Sequence, residues 1–334
     1  MRPIPPFACI LSLIALSTTA EARTWHIQPD GLGDAPTIQA GVDSALSGDT
    51  VLVASGLYTG PGNRDISIEG KAILVASEGG PSVTTIYCEG AGRGFDVSPG
   101  AGETATVRGF SIRGGDAEMG GGVRLRGGTG ACPRLVDCRV IGNEASYGGG
   151  GVYVTNRVVG CVRRCYVLGN VAPDGGGISI GGDFAKAYVE STVVTGNRAT
   201  GEWGVGGGIS TELIGWVQIR NSTISGNIAA YRGGGLGLRW GDSGPVALQL
   251  SIVWDNCAPE AAELYWETPF SFDYCCADTS GIPHPELVTC YECVYSDPRF
   301  CDPGLCDGAP TEEGDYSLDA SSPCRAENNE IGLL

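Results

Sequence analysis

The sequence predicts an all-β chain: a right-handed parallel β-helix, or solenoid, of about nine or ten coils with a short N-terminal capping helix. Three observations predict it. First, a two-part phrase recurs. Cys138-Arg139-Val140-Ile141-Gly142-Asn143 leads to Gly148-Gly149-Gly150-Gly151, Cys165 to Asn170 leads to Gly175-Gly176-Gly177, Thr192 to Asn197 leads to Gly206-Gly207-Gly208, and Ser222 to Asn227 leads to Gly233-Gly234-Gly235. A worn fifth copy ends in Trp254-Asp255-Asn256, and the asparagines fall 27, 27, 30 and 29 residues apart. A period in the twenties is the mark of stacked repeats. Second, the repeat keeps apolar columns. Eight residues before each Asn stand Leu135, Val162, Val189, Ile219 and Leu248, and three before it Val140, Val167, Val194, Ile224 and Val253. Short β-branched runs suit strands. Third, 55 glycines without a triplet period exclude collagen and serve as turn residues, since glycine enters left-handed conformations without steric cost.

Stacked strands lie about 4.8 Å apart, so ten coils make a rod roughly 45 Å long. Identical residues then stack. Asn143, Asn170, Asn197 and Asn227 are expected to form an amide ladder, each side chain bonding the next. Five residues before each Asn stand Cys138, Cys165, Thr192, Ser222 and Ser251, all small. Seven before it, Arg163, Glu190 and Arg220 alternate in sign down the stack and read as register-setting pairs, each worth a few tenths to about 1 kcal/mol.

Taken in order, residues 1–22 read as a signal peptide. Arg2 precedes an apolar run from Phe7 to Leu16 that is too short to span a bilayer, and Ala20-Glu21-Ala22 fits the cleavage rule, so the mature chain is expected to begin at Arg23. No later apolar segment reaches membrane-spanning length, so the chain reads as exported, extracellular or at the cell surface, and not membrane-spanning. Thr37 to Leu46 reads as a helix with Ile38, Val42, Ala45 and Leu46 on one face and Thr37 as its cap. It would cover the open end of the first coil, as solenoids require. Thr50 to Val53 reads as the first strand. Residues 57–130 hold three less regular coils, with strands at Ile66 to Ile68, Ile73 to Ala76, Thr84 to Tyr87, Phe95 to Val97 and Val107 to Ile112. The unit of cap and helix thus runs over 23–256 and is most regular over 131–256. Residues 257–334, richer in Pro, Cys and Asp, read as irregular last coils and a C-terminal cap, with a final irregular coil over 297–324.

The net charge of −17 opposes nucleic-acid binding, which rests on basic patches. It also opposes polyanions unless a cation bridges them. Removal of Cys9 with the signal peptide leaves thirteen cysteines. Export favours disulfides over a zinc site at Cys290, Cys293, Cys301 and Cys306. Cys138 and Cys165 share a column within disulfide range, but stacking does not guarantee the torsion, so a bond and two free thiols both stay open. Cys132 and Cys161 offer competing pairings.

Thr37-Ile38-Gln39-Ala40, Gly48-Asp49-Thr50-Val51-Leu52-Val53 and the Gly-Asn/Gly-Gly-Gly repeats resemble right-handed parallel β-helix proteins of the pectin-lyase-like superfamily, above all its exported bacterial repeat proteins. The repeats resemble, more loosely, chlamydial polymorphic outer membrane proteins. The first resemblance covers nearly all of 24–329 and implies a fold more than a function, because this fold hosts lyases, hydrolases, adhesins and passenger domains alike. A pectin hydrolase of the superfamily implies paired aspartates and a Gly-His-Gly phrase. The histidines here, His26 and His284, sit in no such phrase. A lyase implies an acidic calcium site beside a basic residue. Asp174, Asp183, Glu202 and Glu212 with Arg198 and Arg232 are the candidates, but no column stacks two or three carboxylates.

The loop between Asn and the glycines carries Tyr147, Asp174, Trp203 and Tyr231 on four successive coils. Aromatics along a solenoid edge can stack sugar rings or cover the glycine turns. Glu144 and Arg232 flank them as hydrogen-bonding groups. The favoured reading is a non-catalytic exported or surface protein that presents this face to extracellular polysaccharide or surface proteins. The alternative is a calcium-dependent polysaccharide lyase or related enzyme. The favoured reading assigns no catalytic residue, no metal ligand and no cofactor, and calcium enters only through the alternative.

Overall fold

The computed structural model describes residues 21–182, 184–212, 216–239, 246–266, 270–279 and 288–325. Residues 1–20, Asp183 and His284 lie outside them. The chain is a right-handed parallel β-helix of about nine turns. One regular coil passes through Arg134–Val136 in a first sheet, Arg139–Ile141 in a second and Val152–Thr155 in a third, and Val159–Arg163 then pairs with Arg134–Val136. Among the described residues the first sheet has eleven strands, the second nine and the third eight, and a short fourth sheet of five strands bridges the second and third.

The apolar columns point inward as the repeat requires. Val140, Val167, Val194, Ile224 and Val253 pair in register and are buried. Leu135, Val162, Val189, Ile219 and Leu248 form a second buried line. Burial of each such side chain contributes about 1.5–3 kcal/mol relative to leaving it exposed. On the outside, Arg163, Glu190 and Arg220 are register partners, and Arg163 reaches Glu190 at 3.2 Å.

The corners explain the small column and the glycines. Between the first and second sheets, one residue in each of six successive coils is left-handed: Asp137, Arg164, Ser191, Asn221, Leu250 and Tyr274, with φ between 49° and 55°. None is glycine, so each corner costs on the order of 1–2 kcal/mol. The residue that follows offsets this. Cys138, Cys165, Thr192, Ser222, Ser251 and Cys275 each donate an S–H or O–H back across the corner to the carbonyl two residues earlier, at 3.2, 3.3, 2.9, 2.9, 2.8 and 3.4 Å. Only Cys, Ser and Thr combine the short reach with a donor. Cys138 and Cys165 are therefore buried free thiols serving as corner donors.

At the corner into the third sheet, the third glycine from the end of each run (Gly149, Gly175, Gly206, Gly233) has φ between 55° and 64°. The last glycine has no room for a side chain. A Cβ on Gly151, Gly177, Gly208 or Gly235 would lie 2.5–2.7 Å from a carbonyl oxygen of the next coil. The triplet thus combines one conformational demand with a close approach of backbone to backbone.

Between these corners runs the asparagine ladder. Nδ2 of Asn143, Asn170, Asn197 and Asn227 donates to Oδ1 of the next member at 2.9–3.0 Å, and that oxygen also accepts the backbone N–H of the donor residue. The worn fifth copy belongs fully: Asn256 is the ladder's fifth member. Beyond it the side chain of Glu263, on the same coil, takes the next position and accepts from Asn256 N and Nδ2 at 3.0 and 2.6 Å.

The ends depart from the repeat. The helix covers Ile38–Ser44, capped by the Thr37 side chain, which accepts from Ala40 N at 3.2 Å. It packs on Ile27 and Val51 through Gly41. Leu46 falls beyond its end and is 65 % exposed, so it is not on the buried face. The first strand is not Thr50–Val53 but Thr24–Ile27, which pairs with it. Residues 297–324 do not add a final coil. Phe300–Asp302 and Asp315–Leu318 form an antiparallel ribbon, and the chain doubles back over the second sheet. Gly304 lies against Gly226, Thr311 N donates to Gly196 O at 3.0 Å, and Arg113 donates to both oxygens of Glu312. This strap is tied by disulfides Cys257–Cys306 and Cys276–Cys324. Because Cys306 is so bonded, the four-cysteine zinc set does not assemble. Replacing Cys257 and Cys306 by serine is expected to lower stability by about 2–4 kcal/mol and to make 300–318 the first segment cut in limited proteolysis. First cleavage within the coils would show that the strap does not depend on this tie.

Candidate functional site

The four loop residues do not form one stripe. Pairing of Gly148 with Asp174 and of Val205 with Arg232 puts Tyr147, Pro173, Gly204 and Tyr231 at one register position, with Trp203 one residue outside it. Asp174 is 1 % exposed, and its Oδ1 accepts from Val205 N at 3.1 Å. It closes the turn onto the next coil and is not a surface ligand. The remaining three residues fall into two groups.

In the first, Tyr147 is 43 % exposed. Its ring stands edge-on to Tyr153 at 6.4 Å, and its hydroxyl donates to Glu212 Oε2 at 3.3 Å. Glu212 is buried, and burial holds its carboxyl above the usual range against the Tyr147 hydrogen bond. Among the described residues its Oε1 has no hydrogen-bond partner. In the second group, Trp203 is 59 % exposed and stands perpendicular to Tyr231 at 5.1 Å. The Arg232 guanidinium lies over both Tyr231 and Tyr265, at 4.2 and 4.5 Å, and donates to Tyr265 Oη and Glu260 Oε2 at 2.6 and 2.7 Å. Tyr265 and Glu260 follow the regular repeats, so periodicity did not point to them. They arrive because Arg232 pairs with Glu260 on the next coil.

Two further polar groupings were not legible as motifs. On the third sheet, Asp96 receives Arg124 at 2.5 Å, Arg126 at 2.9 Å and Arg93 at 3.8 Å. Asp96 is held below its ordinary value by the two hydrogen-bonding arginines, although burial alone pushes it up. The 28-residue spacing of Asp96 and Arg124, one coil in register, was the available signal. On the first sheet a groove of about 430 Å³ is lined by Arg134, Cys161, Arg163, Arg164, Tyr188 and Glu190. Tyr188 stands edge-on to Trp216 at 5.2 Å beside it.

The architecture matches solved structures. The chain superposes on pectate lyase Pel9A with a TM-score of 0.54, over 90 % of each chain at 14 % identity. It superposes on the pectin methylesterase from carrot with a TM-score of 0.52, over 86 % of this chain and 93 % of that one at 12 % identity. At such identities the likeness carries the fold alone. No protein-family model and no curated relative matches the sequence.

Within that fold, the residues named for a lyase do not converge. Asp174 is buried, Glu212 faces Tyr147, Arg198 donates to Ala309 O of the strap at 3.4 Å, and Arg232 is taken up by Glu260 and Tyr265. Asp183 lies outside the described residues. Among the described residues no three His, Cys, Asp or Glu side chains gather as a metal site, and no helix is long and apolar enough to cross a membrane.

Proposed function

We propose that the chain is an exported β-helix protein that contacts carbohydrate through the edge formed by Trp203, Tyr231 and Arg232. The observation that carries this is the exposed indole of Trp203, whose ring stands perpendicular to that of Tyr231. A sugar ring needs an apolar platform and adjacent charged hydrogen-bonding groups. Trp203 supplies the first, and Arg232 with Glu260 supplies the second. Tyr147, two coils away, gives a second contact point along the rod. A second reading, cleavage of an acidic polysaccharide, rests on the first-sheet groove, where three guanidiniums stand beside Glu190, and on the fold shared with a pectate lyase.

A glycan array on the mature protein tests both readings. Binding is expected, weakened about tenfold by Trp203→Ala, the scale of one lost aromatic contact of ~1.4 kcal/mol. Incubating any bound glycan with the protein and calcium, with assay for unsaturated ends, separates cleavage from contact. Absence of binding to every glycan on the array overturns the carbohydrate reading.

A further inference from the structure

Among the described residues, nine cysteines outside the disulfides divide by environment. Cys88, Cys138, Cys165 and Cys275 are buried, and burial pushes each thiol up, to about 12 for Cys88, Cys138 and Cys275. Such thiols are inert. Cys132 and Cys161 differ. Both are half-buried, their sulfurs are 3.8 Å apart on the outside of neighbouring coils, and Arg134 Nε donates to Cys132 Sγ at 3.5 Å. Cys161 also lines the first-sheet groove with Arg134, Arg163 and Arg164.

We propose that Cys132 and Cys161 form a redox-active pair that exchanges with low-molecular-weight disulfides carrying acidic groups, which the groove's arginines admit. Cys132 is the attacking sulfur. Contact with Cys161 is the largest cause drawing its thiol down to about 5, against burial, and Arg134 adds to it; the same contact pushes Cys161 up. The Cys132 thiolate attacks one sulfur of the external disulfide, forms a mixed disulfide and releases one thiolate. Cys161 then loses its proton to solvent and attacks the Cys132 sulfur, which expels the second thiolate. The two protein thiols are oxidised by two electrons, and one external disulfide is reduced to two thiols. The sulfurs must close from 3.8 Å to about 2.05 Å. Arg163 and Arg164 are partly neutralised by Glu190 and Asp137 at 3.2 and 2.6 Å, so Arg134 is the main attraction for an acidic oxidant.

The test uses the full chain with its two structural disulfides intact. It is treated at pH 6 with oxidised glutathione or, as an uncharged probe, hydroxyethyl disulfide, and the remaining thiols are alkylated and mapped by peptide mass. The expected result is joint loss of label at Cys132 and Cys161, a peptide cross-linked between them, a rate about tenfold higher with glutathione, and no loss at Cys138 or Cys165. Cys161→Ser should trap glutathione on Cys132. Full labelling of both cysteines after treatment, measured on the unmodified chain, overturns the pair. Equal rates with both probes overturn the role of the arginines. Trapping on Cys161 in Cys132→Ser, at the rate expected for Cys132, overturns the order of attack.

Discussion

Gly177→Ala is expected to destabilise the protein by about 3 kcal/mol, the upper range for overpacking a tight site. The new Cβ would lie 2.5 Å from Gly208 O and 3.0 Å from both Asn197 Nδ2 and Val194 Cγ1. None of these can yield cheaply. Gly208 is backbone of the next coil, Asn197 is held in the ladder on both sides, and Val194 is in the buried column. Relief would need two coils to part, with loss of the parallel hydrogen bonds between Ile178 and Ile209 and their neighbours. Two controls separate this from a general intolerance of alanine. Gly70 has φ 65° with open space around it, so Gly70→Ala should cost about 1–2 kcal/mol, the conformational cost alone. Gly308 has neither demand, and its replacement should be near neutral. Urea unfolding of the three variants checks the order. A wild-type midpoint for Gly177→Ala would mean that the glycine columns are not packed as described.

The second large effect is at Glu263, which is 5 % exposed at the end of the ladder. Burial raises its carboxyl to about 8, outweighing the two hydrogen bonds from Asn256 that favour the charged form, with Asp278 and Asp255 adding to the rise. The native state therefore holds a proton that the unfolded chain has already released. Stability from this group is complete below about 4.5, falls as pH rises through the interval to about 8, and is flat beyond. The slope is on the order of 1.4 kcal/mol per pH unit within that window. Glu263→Gln replaces the carboxyl by an amide, which carries no charge to bury and leaves an oxygen for Asn256. Its stability curve should lack this slope and lie above the wild type at pH 9. Measuring both curves and taking their difference removes the other titrating groups, Cys132 among them. Parallel curves from pH 4.5 to 9 would show that Glu263 does not titrate in the ladder.

Much of this fold was legible in the sequence because the repeat makes each residue's neighbour predictable. Residues 27 to 30 apart must lie one strand spacing apart, so the Val140 and Leu135 columns, the asparagine ladder and the Arg163–Glu190 pair follow from register alone. The small column was visible but its purpose was not. The left-handed residues before it, such as Leu250 and Tyr274, carry no composition signal, and only the observed φ shows what Ser251 and Cys275 are bonding across. Asp174 was misplaced for a related reason. A loop aspartate reads as exposed, whereas the turn folds it onto Val205 of the next coil.

The sequence by itself determined the coil, its inward columns and its ladder, since each depends on one short period and on pairing with the next copy, and it determined the capping helix through that helix's own apolar spacing and its Thr37 cap. Tertiary structure alone decided the rest. The strap crosses the second sheet backwards, Glu312 meeting Arg113 across 199 residues of chain, and no periodicity encodes a contact at that distance. The candidate edge likewise joins residues that repeat, Trp203 and Tyr231, to residues that do not, Glu260 and Tyr265. Its assembly depends on where the irregular coil after Asn256 comes to lie, and packing rather than period sets that position.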